Sequence, residues 1–291
     1  MGKASRRASF VYCGIVYLIA LVAGYIVYRL YAGSGMLLAT FLADIAATVV
    51  VWFFGLLFRN ASLYDPYWSV TPLVILPLWL WTSHAAADIS GILFLIAIYV
   101  WGLRLTYNWA NRWEGLSHQD WRYTMLREKN PRLYFVTNLM GINLIPTVLV
   151  FLGMVPVYYA ASACGEAGIL TYIGFAVCIG AAVLQAAADR QMETFKRSGA
   201  ARGSLIDTGL WRLSRHPNYL GEVSFWWGIW IMQMGLTPVW PTVIGPAAIT
   251  LLFVFVSIPM MERHVAENRP GYTDYKKQVP MLVPFIKPSD R

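Results

Sequence analysis

Long apolar runs alternate with short polar stretches along nearly the whole chain. Eight apolar segments can be delimited, at about 10–31, 36–58, 70–83, 90–110, 133–160, 167–189, 219–235 and 238–261. A helix needs about 20 residues to cross the hydrocarbon core of a bilayer, and only the third and seventh segments fall short of that length. These two can be tilted, broken or re-entrant. The pattern predicts an all-α, polytopic integral membrane protein with about seven to eight transmembrane helices.

The amino-acid composition supports a membrane protein and argues against a disordered or water-soluble chain. The 291 residues are 58% hydrophobic and 13% charged, whereas a soluble domain carries about 25% charge. A disordered chain is excluded and a water-soluble globule is disfavoured. The net charge of +8 would suggest a nucleic-acid partner in a soluble protein, but here we expect a lipid bilayer and no nucleic acid. Cys13, Cys164 and Cys178 form no CxxC motif, which predicts structural thiols.

The basic residues are distributed asymmetrically about the apolar segments. With a cytoplasmic N-terminus and eight crossings, the cytoplasmic stretches would be 1–9, 59–69, 111–132, 190–218 and 262–291. Those stretches, with Arg104 at a helix end, hold all of the 23 Lys and Arg residues except Arg29. The positive-inside rule then predicts that both termini and the functional site face the cytoplasm. The membrane would be a bacterial inner membrane or, in a eukaryote, the endoplasmic reticulum.

Polar residues gather at the C-terminal end of the sixth apolar segment. Gln185, Asp189 and Lys196 are spaced i, i+4, i+11, which places them on one face of a helix. Ionisable residues at membrane depth are costly and mark functional sites by default. The alternative is a helix end that leaves the membrane, where polar side chains are expected in any case.

A second group surrounds the start of the seventh apolar segment. Pro217 suits the first turn of a helix, so Asn218 and Glu222 share one face, one turn apart. A carboxylate one turn inside an apolar helix needs a partner. Arg212 and Arg215 precede the helix, and their guanidiniums, with the free N–H groups of the first turn, would bind an anion. For the arginines alone, contact with lipid headgroups is an equal alternative.

Other segment ends carry Glu262, Arg263, His264 and Tyr272 after the last segment, Asp65 after the second, and Arg104, Asn108 and Arg112 at the end of the fourth. For the residues after the last segment, the alternative is a belt of interfacial side chains, and for Asp65 it is a helix cap.

The sequence contains no HExxH motif and no Cys/His pair at zinc spacing, so no metal site is predicted. It also contains no P-loop and no GxGxxG after a strand. A nucleotide would therefore be held by helix ends and basic side chains.

Residues 210–222, with the sequence Leu-Trp-Arg-Leu-Ser-Arg-His-Pro-Asn-Tyr-Leu-Gly-Glu, resemble the C-terminal signature of the steroid 5-alpha-reductase family. The likeness is closest to the bacterial branch, is shared with sterol C14 and delta-7 reductases, and covers about 55–291. It implies hydride transfer from NADPH to the beta carbon of an enone and protonation of the alpha carbon, without flavin or metal. The implied substrate is a hydrophobic small molecule, a steroid or another lipid enone. Within a single membrane domain of 1–291, it implies N-terminal helices (1–54), substrate-pocket helices (55–184) and an NADPH-binding part (185–291).

The resemblance also implies which residues hold the cofactor. Asn218 matches the asparagine that holds the nicotinamide carboxamide, and Glu222 matches the carboxylate one turn later. Gln185, Asp189 and Lys196 fall where the family has Asn, Asp and Arg around the adenine, ribose and phosphates. The other expected cofactor residues are Arg215, His216 and Tyr219 of the shared motif, Glu262, Arg263 and His264 after the last segment, and Arg212, Arg104, Asn108, Arg112 and Tyr272.

A catalytic pair is the last implication of the resemblance. In steroid 5-alpha-reductases, a glutamate and a tyrosine hydrogen-bond the 3-keto oxygen of the steroid and stabilise the enolate that forms as hydride arrives. Asp65 is the nearby carboxylate here, and its tyrosine partner could be Tyr107 or Tyr64. A protonated Asp65 needs a raised pKa, which an apolar pocket can provide.

Two other classes of function stay open. Isoprenylcysteine and phospholipid methyltransferases, which use S-adenosylmethionine, also carry Arg-His-Pro-x-Tyr-x-Gly, usually with a bulky apolar residue where this chain has Asn218. A transporter or a non-catalytic lipid-binding protein is the third class. Transporters tend to show inverted repeats and broken helices at the bilayer midplane, whereas here no repeat is evident and the polar residues gather at one face. The oligomeric state is not indicated by the sequence.

Overall fold

A computed structural model describes residues 5–83, 88–163, 166–199 and 203–284. The chain forms two compact units, Met1–Ser162 and Ala163–Arg291. Throughout the described residues the regular secondary structure is helical, which confirms the all-α class. Six helices in this part of the chain are long and apolar enough to cross a membrane. The prediction of a polytopic membrane protein is thereby confirmed.

The first unit is built from α1 (Arg6–Leu30), α2 (Met36–Leu57), α3 (Tyr67–Thr82), α4 (Ile89–Arg112), α5 (Trp121–Lys129), α6 (Tyr134–Thr137) and α7 (Ile145–Ala161). A 3-10 turn at Ala61–Leu63 precedes α3, and a π turn at Asn138–Leu144 joins α6 to α7. Apolar side chains on α1 such as Leu18 and Val22 are more than half exposed. Such exposure is expected where a helix faces lipid instead of water.

The start of α1 fixes the end of α4. Arg6 donates from Nε to the carbonyl oxygen of Trp113 at 2.8 Å, and from Nη2 to those of Ala110 and Asn111 at 2.8 and 3.1 Å. The last carbonyls of a helix have no intrahelical partner, so the guanidinium satisfies them. The loop after α4 then bonds Asn60, whose Nδ2 donates to the carbonyl oxygen of Leu116 at 2.9 Å. These bonds fix the chain immediately before α3.

The second unit contains α8 (Ile169–Arg197), α9 (Leu210–Leu213), α10 (Pro217–Met234), α11 (Ile244–Leu252), α12 (Ile258–Asn268) and α13 (Tyr272–Gln278). α8 and α10 pack closely through small residues, as membrane helices commonly do. A Cβ added to Gly228 would lie 2.6 Å from Cys178 Sγ, and one added to Gly174 would lie 2.6 Å from the Gly228 carbonyl oxygen. Only glycine allows this approach.

The two short apolar segments form continuous helices. The segment 70–83 lies in α3, which has 16 residues and contains Pro72 and Pro77. At 1.5 Å per residue α3 is about 24 Å long, less than the roughly 30 Å of the hydrocarbon core. The segment 219–235 lies in α10, which has 18 residues. The last segment extends further than predicted, because the helical run Trp240–Asn268 continues through a π turn at Phe253–Ser257.

Two of the three thiols can be placed. Cys13 and Cys178 are buried and form no disulfide, consistent with the structural role expected of them. Cys164 lies outside the described residues. Cys178 packs at the contact of α8 with α10, where its Sγ is 3.5 Å from the carbonyl oxygen of Phe225.

Candidate functional site

In the second unit, polar side chains surround the start of α10. Pro217 occupies the first helical position after His216, and no side chain caps the helix. The fixed φ of proline suits this position, and the free N–H groups of the first turn have no intrahelical partner. Asn218 is half-buried in this turn, and its amide makes no hydrogen bond to the residues that the structure describes. The helix start therefore offers both donors and an acceptor to a ligand.

Glu222 lies one turn further along α10 and is 4% exposed. Gln185 Nε2 donates to its Oε2 at 2.6 Å, and Trp226 Nε1 donates to its Oε1 at 2.9 Å. These donors are the partners that a carboxylate inside an apolar helix needs. Gln185 reaches Glu222 because Gly221 has no side chain, since a Cβ there would overlap Gln185 Cγ. Two groups that are distant in sequence therefore meet where α8 contacts α10.

Arg215 connects the start of α10 to the C-terminal tail. Its Nε donates to Glu262 Oε1 at 2.8 Å, and its Nη1 donates to the carbonyl oxygens of Lys276 and Val279 at 2.8 and 2.7 Å. Lys276 Nζ lies 2.9 Å from the other oxygen, Glu262 Oε2. The sequence predicted that the Arg215 guanidinium binds an anion. In the structure it is bonded to a carboxylate of the protein and to two backbone carbonyl groups. In this structure, Arg215 holds the tail in place.

His216 and two tail tyrosines complete this cluster as neutral groups. The His216 ring stacks on Tyr219 with 5.3 Å between centroids, and its Nε2 lies 3.3 Å from Glu262 Oε1. Burial lowers the pKa of His216 despite the opposing effect of Glu262, so the imidazole is neutral near pH 7. Burial raises the pKa of Tyr272, and it raises the pKa of Tyr275 to about 12.

The remaining predicted cofactor residues differ in exposure. The exposed ones are Lys196, Arg212, Arg263 and Arg112, and the half-buried ones are Asp189, His264, Arg104 and Asn108. Arg104, Asn108 and Arg112 lie at i, i+4 and i+8 of α4, on one face of that helix. The cofactor roles of all these residues stay predictions.

In the first unit, Asp65 lies just before α3 and is bonded by a tyrosine. The helix begins at Tyr67 without a side-chain cap, so Asp65 does not cap it. Instead, the hydroxyl of Tyr123 donates to Asp65 Oδ1 at 2.5 Å. Asp120 caps α5 and binds Arg122 through two bonds of 2.8 and 3.0 Å. The Asp120–Arg122 pair thereby fixes the turn of α5 that carries Tyr123.

These neighbouring groups and the burial of Asp65 alter its pKa. Burial raises its pKa from the ordinary 3.8 to about 6, although the Tyr123 hydrogen bond and the Arg122 charge oppose the rise. Burial and the adjacent Asp65 hold the pKa of Tyr123 well above its usual value. Asp65 can therefore retain a proton up to about pH 6, and the phenol of Tyr123 stays protonated at neutral pH.

Neither tyrosine that the sequence suggested for Asp65 bonds it. Tyr107 is 69% exposed, and its hydroxyl makes no hydrogen bond within the described ranges. Tyr64 is buried, with its hydroxyl 2.7 Å from Thr147 Oγ1. The tyrosine that does bond Asp65 is Tyr123, which lies 58 positions away in sequence. No spacing rule connects two residues so far apart, so sequence reasoning missed it.

A second buried polar group lies on α2, and sequence reasoning missed it too. Thr40, Asp44 and Thr48 are all buried at i, i+4, i+8 spacing. The hydroxyl of Tyr67 donates to Asp44 Oδ1 at 2.8 Å, and the hydroxyl oxygens of Thr48 and Thr147 are 2.9 Å apart. A carboxylate in a membrane-spanning helix is a functional candidate. The signal was the regular spacing of three polar residues inside an apolar run.

The family described as protein of unknown function (DUF1295) matches residues 51–279. The chain belongs to this family. DUF1295 is a steroid 5-alpha-reductase-like family, so the resemblance is confirmed at that level. DUF1295 is also related to isoprenylcysteine methyltransferase-like membrane enzymes. Membership of DUF1295 therefore relates the chain to membrane enzymes of these two kinds.

Two curated proteins are similar to parts of this chain. An uncharacterised protein of Schizosaccharomyces pombe is 26% identical over 217 residues, which are 66% of this chain and 61% of that protein. The match thus spans less than two thirds of the yeast protein. A methanethiol S-methyltransferase of Crocosphaera subtropica is 34% identical over 74 residues, 25% of this chain and 26% of that enzyme. No solved structure matches the chain.

Proposed function

We propose that this DUF1295 protein is a membrane-embedded, NADPH-dependent reductase that acts on the C=C bond of an enone in a steroid or other lipid. The observation that carries the proposal is the 2.5 Å hydrogen bond between the Tyr123 hydroxyl and Asp65. A phenol and a carboxylic acid with a raised pKa form a pair of proton donors. Such a pair is suited to a substrate oxygen that gains negative charge.

The chemistry requires such a pair. Reduction of an enone at its beta carbon moves negative charge onto the carbonyl oxygen, and preorganised donors stabilise that charge. Protonated Asp65 can donate to this oxygen. The single proton of the Tyr123 phenol bonds Asp65 Oδ1 in the free protein, and it can donate to the substrate oxygen once that oxygen replaces the carboxyl group as its acceptor. Arg122 contributes less to the charge balance, because Asp120 already pairs with it at 2.8 Å. The phenol of Tyr123 takes the role for which sequence reasoning considered Tyr107 and Tyr64.

The second unit has residues that fit the cofactor. NADPH, when bound, supplies the hydride. The Asn218 amide has one donor group and one acceptor, so it can exchange two hydrogen bonds with the nicotinamide carboxamide. Gln185 and Glu222 form a rigid polar pair on the same helix contact, with 2.6 Å between Gln185 Nε2 and Glu222 Oε2. Arg212 and Arg215 both precede α10. Because Arg215 already bonds Glu262, the exposed guanidinium of Arg212 is the one that can bind a phosphate of the cofactor. We place this site on the cytoplasmic side.

A second candidate function is favoured by one observation. The match to a methanethiol S-methyltransferase, 34% identical over 74 residues, supports an S-adenosylmethionine-dependent methyltransferase. In that case, Asp65 in its ionised form would act as a base toward the acceptor. The two candidates differ in the cofactor, so a binding experiment separates them.

The test measures the Tm of the detergent-purified protein with NADPH and with S-adenosylmethionine. A ligand that binds only the folded state raises Tm, so we expect a rise with NADPH and none with S-adenosylmethionine. Asn218→Ala and Glu222→Ala should abolish the NADPH effect, whereas Asp65→Asn should keep the effect and lose turnover. A rise with S-adenosylmethionine alone would establish the second candidate and refute the first.

A further inference from the structure

A separate cavity, with both polar and apolar residues in its lining, lies in the first unit where α2 ends and α6 begins. Its volume is about 220 Å³, and Arg59, Asn60, Arg127, Tyr134 and Asn138 are among the residues that line it. Typical pockets for drug-sized ligands measure about 300–1,000 Å³. The cavity therefore suits a small polar group better than a whole cofactor or steroid.

Arg59 occupies a backbone position that favours glycine. The N–H of Arg59 donates to the carbonyl oxygen of Leu56 at 3.0 Å, and that of Asn60 donates to Gly55 at 2.8 Å. These two bonds form the Schellman motif that ends α2. Arg59 has a φ of +54° and is the one non-glycine residue with positive φ among those described. A side chain retained in this strained conformation points to a function for that side chain.

The backbone next to Arg59 is held firmly. Asn60 Nδ2 donates to the carbonyl oxygens of Leu116 and His118, both at 2.9 Å, and its Oδ1 accepts from the N–H of Ser62 at 2.9 Å. Asn60 is 2% exposed. Because its polar atoms are used in this way, Asn60 positions Arg59 and is not itself available to a ligand.

The lining of the cavity also includes Arg127, which carries a second guanidinium, and Tyr134. The guanidinium of Arg127, on α5, lies 5.9 Å from the centroid of the Tyr134 ring. The Tyr134 hydroxyl is buried and has no hydrogen-bond partner among the residues that the structure describes. No described carboxylate pairs with Arg59 or Arg127. Two unneutralised guanidiniums and one unpartnered phenol thus line the same small space, and a buried hydroxyl without a partner indicates a missing acceptor.

We propose that this cavity binds the phosphate group of an amphiphile or of a dissolved phosphate. Guanidiniums bind phosphate through paired, charge-assisted hydrogen bonds, and the Tyr134 hydroxyl supplies a further donor. The cavity lies beside the end of the membrane span Met36–Leu57 and the start of the span Tyr134–Ala161. Span ends lie at the depth of lipid headgroups. A phospholipid headgroup is therefore the expected source of the phosphate, and the inference does not depend on the proposed reductase activity.

The test uses the full-length protein in detergent and reads binding as a rise in Tm. One sample receives phosphatidylglycerol, and a second receives diacylglycerol with the same acyl chains but no phosphate. A third receives inorganic phosphate, with chloride at equal ionic strength as its reference. We expect phosphatidylglycerol to raise Tm and diacylglycerol to leave it unchanged. A rise in Tm with inorganic phosphate alone would support the site, with dissolved phosphate as its ligand. No rise with either phosphatidylglycerol or inorganic phosphate would overturn the proposal.

Three variants separate binding from folding. Glycine is favoured at the Schellman position, so Arg59→Gly should keep or raise the Tm of the free protein and lose the rise caused by phosphate. Arg127→Gln should weaken apparent affinity about tenfold or more. Arg132→Gln removes an exposed charge from the same connection outside the cavity and should respond like the unaltered protein. If Arg59→Gly and Arg127→Gln also respond like the unaltered protein, the assignment is wrong.

Discussion

At the scale of single residues, the most consequential group is the carboxylic acid of Asp65. Its pKa of about 6 means that folding and protonation of this residue are linked. In the unfolded chain the carboxyl group loses its proton near pH 3.8, whereas in the folded chain it keeps the proton up to about pH 6. The stability that this group contributes is therefore complete below pH 3.8 and is lost as the pH rises through 6.

We therefore expect Asp65→Asn to stabilise the protein more at pH 8 than at pH 4. Asparagine cannot ionise, and its Oδ1 can still accept from Tyr123. The difference between pKa 3.8 and about 6 corresponds to roughly 3 kcal/mol at most. Thermal unfolding in detergent at both pH values measures the effect. Asp207→Asn, which alters an exposed carboxylate, should show no such pH dependence, and an equal pattern in both variants would contradict the assignment.

The same residue shows what a sequence can and cannot supply. Asp65 was a candidate because it lies at the end of an apolar segment and is the nearby carboxylate for the catalytic pair that the resemblance implies. Its partner Tyr123 was not predicted, because the contact depends on how the loop 113–120 is bonded to Asn60 and Ser62. Asp44 was overlooked for a different reason, since a single carboxylate barely alters the hydropathy of α2. Burial and tertiary bonding decide such roles, and neither is encoded in spacing alone.

At the scale of helices, the contact of α8 with α10 determines where Gln185 meets Glu222. Gly174→Ala should destabilise this helix pair by about 1–3 kcal/mol, because the added Cβ would lie 2.6 Å from the Gly228 carbonyl oxygen. Gly180→Ala is the matched control on α8, since a Cβ there meets nothing within 4 Å. Alanine favours helix over glycine, so the control should be neutral or more stable. Equal Tm values for the two variants would argue against this packing.

The tail helix α13 depends on one buried ion pair. Arg215 and Glu262 side chains are 6% and 8% exposed and lie 2.8 Å apart. Removing one partner of a buried pair leaves the other charge uncompensated, at a cost of about 3–5 kcal/mol. Glu262→Gln should therefore lower Tm and speed cleavage by trypsin after Lys276 and Lys277.

The matched control for the tail is Glu267→Gln on the same helix, α12. Glu267 is exposed and makes no ion pair with a described residue, so its Tm and rate of cleavage should stay unchanged. If Glu262→Gln behaves like Glu267→Gln, then Arg215 does not hold the tail. Loss of NADPH binding in Glu262→Gln without a fall in Tm would instead assign Glu262 directly to the cofactor.

Helix positions followed from hydropathy better than helix ends did. Each apolar segment corresponds to a helix or helical run, because burial of the backbone in lipid allows little else. The π turns at Asn138–Leu144 and Phe253–Ser257 were not predicted, since they depend on local packing. The proline at the start of α10 was informative because its fixed φ suits the first turn of a helix.

At the scale of the whole molecule, the spans and the charges together predict which way the chain crosses the membrane. Six described helices are long enough to span, and α3 and α10 are the shorter candidates for two more crossings. If both cross, the number of spans is even and the two termini share a side. The asymmetry of the 23 Lys and Arg residues then predicts that this side is the cytoplasm.

Labelling of single cysteines in intact bacterial cells, with a maleimide that cannot cross membranes, tests this orientation. The background carries Cys164→Ser, because Cys13 and Cys178 are buried. Ser34→Cys and Ser117→Cys place thiols at two exposed serines, after α1 and after α4. Three crossings separate these positions, so they must lie on opposite sides if α2, α3 and α4 all span.

We expect Ser34→Cys to react in intact cells and Ser117→Cys only after permeabilisation. The reverse pattern would invert the topology and place the proposed reductase site outside the cytoplasm. Labelling of both positions in intact cells would show that α3 does not cross.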